Sequence, residues 1–242
     1  MLCDFLLAAL LLHFNPALRI TYVVKAAPVF VSDVTLPDVD ITLAAMAASS
    51  SGASLSPPSF LALQWIASTL QEARHAGRFV PVASSFLCTA EPGWNMPLSL
   101  AELLRKQGLL ISKGDANYRR LLGDLHWPYD TALEAVLEYL PCAVLVMRTM
   151  KSNVNIGISK ALQTQAAQFD AKWDCSGKVG MIQFYSWRVC NNHSNCRTRT
   201  RSPPASPPSC TPSPDPSSGS RSGFGGSPAG PPPGRSRRCP RS

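Results

Sequence analysis

Between residues 3 and 184 the chain alternates short apolar segments with longer segments whose apolar residues recur at helical spacing. ITYVVKAA (20–27) and CAVLVMRT (142–149) have the β-branched and aromatic composition of strands, whereas FLALQWIASTLQEARHAG (60–77) has the periodicity of a helix. Such alternation is typical of a mostly parallel sheet with helices on both faces. We therefore expect an α/β fold with a doubly wound, Rossmann-like sheet and flanking helices.

The same patterns predict the remaining elements. Further helices are expected over 3–13, 99–108, 131–140 and 159–172, and further strands over 78–85, 109–114 and 179–184. The helix at 99–108 is expected to begin with Ser99 as its N-cap and Glu102 completing a capping box, and to end at Gly108. Asp115 is expected to open another helix, and the small polar segment 47–58 to form a surface loop.

The composition changes sharply near residue 191. Residues 191–242 hold eight arginines and one acidic residue, so most of the formal net charge of +8 lies there. Residues 201–242 contain 12 prolines and 6 glycines, a composition that cannot bury enough apolar surface to offset chain entropy. We therefore expect one folded domain at 1–190 and a disordered tail at 191–242. The basic charge belongs to the tail, and nucleic-acid binding by the folded part is not expected.

Cysteine spacing and the N-terminal segment both bear on cellular location. The eight cysteines form no C-x-x-C pair and are irregularly spaced, as is typical of reduced thiols. The segment LCDFLLAALLLHF lacks the basic start of a signal peptide and is too short to span a bilayer. We expect a cytoplasmic protein without a membrane partner, and the sequence makes no prediction of its oligomeric state.

Polar side chains follow the predicted strands at the points where the strands end. They are Asp33 after the first strand, Asp115, Asn117 and Arg119 after the strand at 109–114, and Lys151 after the strand at 142–149. In open α/β sheets, ligands bind beyond the carboxyl ends of the strands. Asp33 and Asp115 carry the carboxylates that a hard cation such as Mg²⁺ or Mn²⁺ prefers. Lys151, Arg119 and the backbone N–H groups that begin the helix after Gly114 are suited to hold a phosphate.

Each of these residues also has a purely structural interpretation. Asp115 is placed to cap the N-terminus of its helix, and Asp33 is placed in a turn. Arg148 and Lys151 are equally consistent with a solvated strand end. The residues alone therefore predict a phosphate-handling site without excluding these alternatives.

Four segments, taken together and in order, resemble a known family. They are KAAPVFVSDVT (25–35), GDANYRRLLGDLHWPYDT (114–131), RTMK (148–151) and W-x-x-x-GKVGMIQF (173–184). The combination is similar to the metal-dependent damage-control phosphatases, also called acidic residue or protein-glutamate methyltransferases. RTMK resembles the Arg-Thr-x-Lys motif of the sugar-phosphate phosphatase branch. The resemblance runs from about residue 2 to residue 186.

The resemblance implies roles for particular residues. Asp33 matches a catalytic, metal-ligating aspartate; Asp115, Asn117, Tyr118 and Arg119 match the segment that contacts the sugar phosphate; and Lys151 matches a phosphate-contacting lysine. The implied cofactor is a divalent metal, with Mn²⁺ as the first candidate and Ni²⁺, Co²⁺ and Mg²⁺ as alternatives. Ala116 stands where the family usually has leucine.

The sequence also departs from the family in one larger respect. The family places an Asp-Asn-x-Gly-x-Glu motif just before the helix that opens this chain, and its Asp and Asn are further metal ligands. That motif is not in the sequence, so we interpret the domain at 1–190 as N-terminally truncated. A hard cation held by a single carboxylate binds weakly, and we therefore expect little Mn²⁺-dependent hydrolysis by this chain alone.

The function that the resemblance implies is hydrolysis of small sugar phosphates such as fructose 1-phosphate or fructose 6-phosphate, in metabolite damage control. An alternative is S-adenosylmethionine-dependent methylation of protein glutamates. The lack of a Gly-rich nucleotide loop after any predicted strand argues against this alternative. Two further alternatives are an inactive fragment and a scaffold that binds through its arginine-rich tail.

Overall fold

The computed structural model describes residues 1–29, 34–50 and 56–187. All of them belong to one compact unit, Met1–Pro208. The second unit, Ser209–Ser242, and the predicted disordered tail at 191–242 lie outside the described residues.

Seven α-helices and five strands are formed by the described residues. The helices are α1 (Leu2–Phe14), α2 (Leu36–Ala47), α3 (Pro57–His75), α4 (Leu98–Arg105), α5 (Asp115–Leu121), α6 (Leu133–Leu137) and α7 (Lys160–Phe169). The strands are β1 (Ile20–Lys25), β2 (Phe79–Ser84), β3 (Leu109–Lys113), β4 (Ala143–Thr149) and β5 (Gly180–Tyr185). Short 3₁₀ turns lie at Ser85–Cys88 and Gly93–Asn95.

β1 and β2 form a two-stranded parallel sheet in which Ile20 pairs with Phe79. One face of this sheet packs against α1, α2 and α3, and together they form an apolar core. Its largest fully buried side chains include Phe5, Leu12, Leu70 and Phe79. We call this part of the molecule, residues 1–84, the N-terminal region.

β3, β4 and β5 form a second sheet, in which β3 and β4 are parallel and β5 is antiparallel to β4. The inner face of this sheet packs against α4, α5 and α6 and carries Val144 and Val146, both buried. Leu137 and Leu140 fill the same core. We call this part, residues 85–187, the C-terminal region.

The opposite face of the second sheet is apolar and largely open. Strand alternation and register place six large apolar side chains there: Leu109, Ile111, Leu145, Met147, Ile182 and Phe184. Leu145 and Met147 are half-buried, whereas Ile182 is 74% exposed and Phe184 57% exposed. We call this surface the outer face.

The predicted sheet is confirmed only in its coarse features. The fold is mixed α/β, and most strand pairs are parallel, as expected. Within residues 1–29, 34–50 and 56–187, however, the strands form two sheets rather than one, and β5 is antiparallel.

Most predicted elements are present. The main errors are one helix that was missed and one helix start that was misplaced. α2 was not predicted. It begins after Thr35, whose hydroxyl and backbone N–H both contact the Asp38 carboxylate in a capping box. The predicted capping box at Ser99 is wrong, because α4 begins at Leu98 after Pro97 and has no side-chain cap.

Across the described ranges, none of the helices is long and apolar enough to cross a membrane. The cytoplasmic location expected from the sequence stays a prediction.

Candidate functional site

The ends of β3 and β4 bring several of the predicted residues to one edge of the second sheet. Because the two strands are parallel, their carboxyl ends lie side by side. Asp115 follows β3 as the first residue of α5, and Lys151 follows β4 two residues after its end. The backbone N–H of Gly114 donates to Met147 O at 2.9 Å, which holds the two strand ends together. Gly114 has φ of +99°, a conformation that favours glycine.

The Asp115 carboxylate connects the start of α5 to the turn after β4. Its Oδ1 lies 2.8 Å from Arg148 Nη2 and accepts from Ser152 Oγ at 3.3 Å. The backbone N–H of Lys151 makes a longer contact with the same oxygen, at 3.4 Å. Gly114 occupies the N-cap position of α5, so the capping interpretation of Asp115 is wrong. The carboxylate instead ties α5 to the turn that carries Lys151.

Arg148 is the buried centre of this edge. Its side chain is 0% exposed, so the interpretation of Arg148 as part of a solvated strand end is wrong. Nη1 donates to Val154 O at 2.8 Å, and Nη2 donates to Ser152 O at 3.1 Å. Burial lowers the pKa of Arg148, and the nearby Asp115 opposes that shift. A guanidinium remains protonated in proteins nonetheless, so the site contains a buried, paired cation.

Tyr118, a predicted substrate contact, lies beneath the edge and is 1% exposed. Its ring stacks under the guanidinium, with Arg148 Cζ 4.4 Å from the ring centroid. The hydroxyl accepts from Ile156 N and donates to Gln183 Oε1, both at 3.2 Å. Burial raises the pKa of Tyr118 to about 12, so the phenol stays neutral and keeps its donor. The structure thus places Tyr118 behind Arg148.

Asn117 and Arg119 lie on the next turn of α5, and their side chains have partners within the chain. Asn117 Nδ2 donates to Lys113 O at 2.8 Å. Arg119 donates through two nitrogens to the two carboxylate oxygens of Asp124, each at 2.6 Å. The Arg119 side chain is 42% exposed, so it borders solvent. Asn117 is also exposed. Substrate contacts by these two residues stay predictions.

Lys151 is exposed beyond the carboxyl end of β4. Its aliphatic stem lies over Gly177, where the Cβ of any larger residue would be 3.7 Å from Lys151 Cγ. Gly177 N donates to Met150 O at 2.8 Å, so the loop before β5 supports the Lys151 backbone. The ammonium group at the end of a supported stem is available to an anion from solvent.

Asp33, the predicted catalytic and metal-ligating residue, lies outside the described residues. Within the parts of the chain that the structure does describe, there is no group of three His, Cys, Asp or Glu side chains that could hold a metal ion. Asp115 Oδ1 is already paired with Arg148. The described residues therefore do not form a metal site by themselves.

A cleft of about 430 Å³ lies elsewhere, between α4 and the β1–β2 sheet. Its lining includes Arg19 and Gly77, which precede β1 and β2, as well as Glu102 and Lys106 of α4. Of the predicted site residues that the structure describes, none lines it. The cleft and the site are thus separate features.

Arg148 and Ser152 belong to this edge but were not among the site residues predicted from the sequence. Strand alternation could have found Arg148, because residues 144, 146 and 148 share one face of β4, and Val144 and Val146 are apolar. A cation on a core face needs a buried partner, and Asp115 is the acid that follows the adjacent strand. No comparable pattern identifies Ser152.

Comparison with known proteins adds to this geometry. The family model described as the damage-control phosphatase ARMT1-like domain matches residues 1–166. The chain is 27% identical over 194 residues to "Damage-control phosphatase ARMT1" of Xenopus laevis. It is 29% identical over 185 residues to the protein of that name from Rattus norvegicus, and 26% identical over 188 residues to the one from Homo sapiens. These alignments cover 75–76% of this chain. The chain spans 40% of the length of these curated relatives.

Proposed function

Because this chain belongs to the damage-control phosphatase ARMT1-like family, we propose that it is a damage-control phosphatase whose substrates are small sugar phosphates. Fructose 1-phosphate and fructose 6-phosphate are the first candidates. The observation that carries the proposal is the meeting of Asp115, Arg148 and Lys151 at the carboxyl ends of β3 and β4. This is the edge at which open α/β sheets bind ligands.

The charges at this edge suit a phosphate. Arg148 is neutralised by Asp115, with 2.8 Å between the charged groups, and Arg119 is paired with Asp124. The ammonium of Lys151 adds a positive charge next to these pairs, at the surface. A phosphoryl group that approaches the edge can therefore contact the Lys151 ammonium, while the nearby arginines are already paired with carboxylates.

In phosphoryl transfer the protein acts mainly by positioning and by stabilising charge on the transferred group. Lys151 would neutralise charge on the phosphoryl oxygens, and Asn117 and Arg119 would contact the sugar or the phosphate from the next turn of α5. Tyr118, buried behind Arg148, would support the edge.

Metal dependence is a further part of the proposal, with Mn²⁺ first and Asp33 as the ligand that the family resemblance implies. A bound divalent ion would supply Lewis acidity at the phosphoryl oxygens. The described residues do not form such a site by themselves, so metal dependence must be tested by adding the ion.

We also propose that the two sheets belong to one doubly wound sheet. Lys113, at the end of β3, pairs with Asp4 at the start of α1, and this contact between the two regions supports the proposal. Val24 and Phe79 face α1, α2 and α3. The side chains of Val80 and Val82 line the cleft that α4 closes from the other side, so helices lie on both faces of β1–β2, as in a doubly wound fold.

The test is release of inorganic phosphate from fructose 1-phosphate and fructose 6-phosphate, with and without Mn²⁺. It should be run on this chain and on a version extended toward the length of the relatives, since the chain spans 40% of them. Lys151→Ala should lower kcat/KM by roughly 10²-fold in whichever version is active, the scale seen when one preorganised charge-stabilising group is removed.

Lys160→Ala is the matched control, because Lys160 is also exposed and follows β4, but lies at the start of α7. It should leave the rate unchanged. Equal rates for Lys151→Ala and the wild-type chain would remove Lys151 from the site. Absence of metal-dependent phosphate release from both lengths of chain would refute the phosphatase proposal.

A further inference from the structure

A buried arginine lies directly behind the residues proposed to bind phosphate. Arg148 extends from the inner face of β4, alongside Val144 and Val146. Moving a charge out of water is costly unless it is paired and hydrogen-bonded. A methionine or leucine would fill this position without the free-energy cost of burying a charge. The contacts that the arginine makes should therefore explain its presence.

Arg148 holds the turn that follows β4. Its guanidinium donates to the backbone carbonyls of Ser152 and Val154 at 3.1 and 2.8 Å, and a weaker contact reaches Ser152 Oγ at 3.5 Å. These two carbonyls lie two residues apart in the chain, and the two terminal nitrogens of one planar guanidinium reach both of them. The fork therefore fixes the backbone that begins at Lys151.

The same guanidinium fixes Asp115. The 2.8 Å ion pair leaves Asp115 Oδ1 in reach of Ser152 Oγ and of the Lys151 backbone N–H. Three donors from β4 and its turn thus converge on one carboxylate oxygen. The position of Lys151 relative to α5 depends on this convergence.

Tyr118 and Gln183 extend the network to β5. The Tyr118 ring lies under the guanidinium, and its hydroxyl joins Ile156 N to Gln183 Oε1. Gln183 Nε2 in turn donates to Ile156 O at 2.7 Å. The backbone at Ile156 is therefore held at both its N–H and its carbonyl, which closes the far end of the turn.

From these contacts we propose that Arg148 is a positioning residue of the phosphate site. Its fork sets Asp115 and the turn at 151–156 in one arrangement, and this arrangement places Lys151 for phosphate. The inference rests on the proposed function and deepens it, because it assigns the first residue of the RTMK segment a role distinct from that of the last.

The experiment compares Arg148→Lys, Arg148→Ala and Ser152→Ala with the wild-type 242-residue chain. Hydrogen exchange measures the exchange rates of the backbone amides in the turn, and calorimetric titration measures the affinity of the site for inorganic phosphate. A lysine keeps the charge but cannot bridge two carbonyls and a carboxylate. Arg148→Lys should therefore speed exchange at 151–156 and weaken phosphate binding about tenfold or more, a loss of one charge-assisted hydrogen bond or more.

Rescue by millimolar guanidinium ion distinguishes a positioning role of Arg148 from a general contribution to stability. The ion should restore phosphate binding to Arg148→Ala, by occupying the vacated position, but not to Lys151→Ala. Arg74→Lys is the control, because Arg74 makes an exposed ion pair with Asp40; it should change neither measurement. Should Arg148→Ala fail to fold, Arg148→Lys and Ser152→Ala still decide the matter.

The outcomes separate the two proposals. Unchanged exchange at 151–156 in Arg148→Lys and Ser152→Ala overturns the positioning role. Faster exchange with unchanged phosphate affinity also overturns it, because the arrangement would then not matter to the site. A wild-type chain that binds no phosphate, with exchange at 151–156 still dependent on Arg148, refutes the phosphate site itself and with it the functional part of the inference.

Discussion

The N-terminal and C-terminal regions hold themselves together differently. The core of the N-terminal region consists of apolar side chains from α1, α2, α3, β1 and β2. The C-terminal region has a comparable apolar core, but it also buries Ser112, Arg148 and Asn155, whereas the buried polar residue of the described N-terminal region is Thr35. Asn155 Oδ1 and Arg148 Nε are buried and have no hydrogen-bond partner among the residues that the structure describes. Polar groups that cost stability are thus concentrated in the region that carries the candidate site, which is where a fold is expected to give up stability for function.

The largest effect that would sharpen this comparison is loss of a core leucine from the N-terminal region. Leu70 in α3 is 0% exposed, and Leu70→Ala should lower the free energy of unfolding by about 2–5 kcal/mol, because it leaves a cavity in an apolar core. Urea denaturation measures the loss. Hydrogen exchange should show it concentrated in α1, α2 and α3.

Leu61→Ala in the same helix is the control, since Leu61 is 56% exposed. Its effect should be within about 0.5 kcal/mol, as is usual for surface positions. If Leu70→Ala instead loosens β3, β4 and β5 equally, the two cores form one cooperative unit and the comparison fails.

The next effect concerns two adjacent arginines of α5. Arg120 donates to four backbone carbonyls, those of Phe86, Leu87, Thr89 and Glu91, whereas Arg119 makes an exposed pair with Asp124. Arg120→Ala should cost about 1.5–3 kcal/mol, the range for hydrogen bonds to charged groups. Arg119→Ala should cost at most about 1 kcal/mol.

Urea midpoints of the two variants give the comparison directly. Equal losses of stability would mean that the four hydrogen bonds from Arg120 to the 86–91 segment contribute no more than the exposed ion pair of Arg119. Arg120 would then not be one of the polar groups that stabilise the C-terminal region.

Sequence periodicity predicted elements well where the apolar pattern was strong. α1, α3 and β4 lie within three residues of their predicted bounds, because buried faces impose their spacing on the sequence. α2 was missed because its Thr35–Asp38 signal is Thr-x-x-Asp rather than the more familiar box that ends in Glu or Gln. The Ser99 box failed because the N-cap of α4 is Pro97 and the helix begins at Leu98, so Ser99 already lies inside the helix.

The candidate site was predictable only in part. The edge was predictable, because parallel strands align their carboxyl ends. The depth of each side chain was not, since the Tyr118 hydroxyl is held by Gln183 and Ile156, which lie 65 and 38 residues away in the sequence. Pairing across such distances has no local signature.

Two helix starts provide a smaller test of the comparison. The capping box of α2 is formed by Thr35 and Asp38, and Thr35→Ala should cost about 0.5–2 kcal/mol. Ser99 makes no capping bond, so Ser99→Ala should change stability by less than about 0.5 kcal/mol. Thermal unfolding of both variants is the measurement. A loss for Ser99→Ala as large as that for Thr35→Ala would contradict the observed start of α4.

The smallest effect is a pH dependence at the end of α5. The hydrogen bond from Arg119 lowers the pKa of Asp124 below its ordinary value. A lowered folded-state pKa contributes stability above the unfolded pKa, about 3.9, and this contribution is lost as pH falls through the folded value. Asp124→Asn should therefore be less stable than wild type near neutral pH, by at most about 1 kcal/mol, and the difference should shrink in acid.

Asparagine suits this test because Asp124 has φ of +57°, a conformation that Asn also tolerates. Urea denaturation at neutral pH and in acid measures the two differences. A difference that does not change with pH would show that geometry, and not charge, accounts for the effect of the substitution.

The outer face has a consequence for every one of these measurements. Six apolar side chains on one side of β3, β4 and β5 are accessible to water in a single molecule, and contiguous apolar surface of this kind favours contact between molecules. Any association that covers this face stabilises the folded form by mass action. Apparent melting temperatures should then rise with protein concentration, so free energies of variants are comparable only when they are measured at one concentration and extrapolated to dilution.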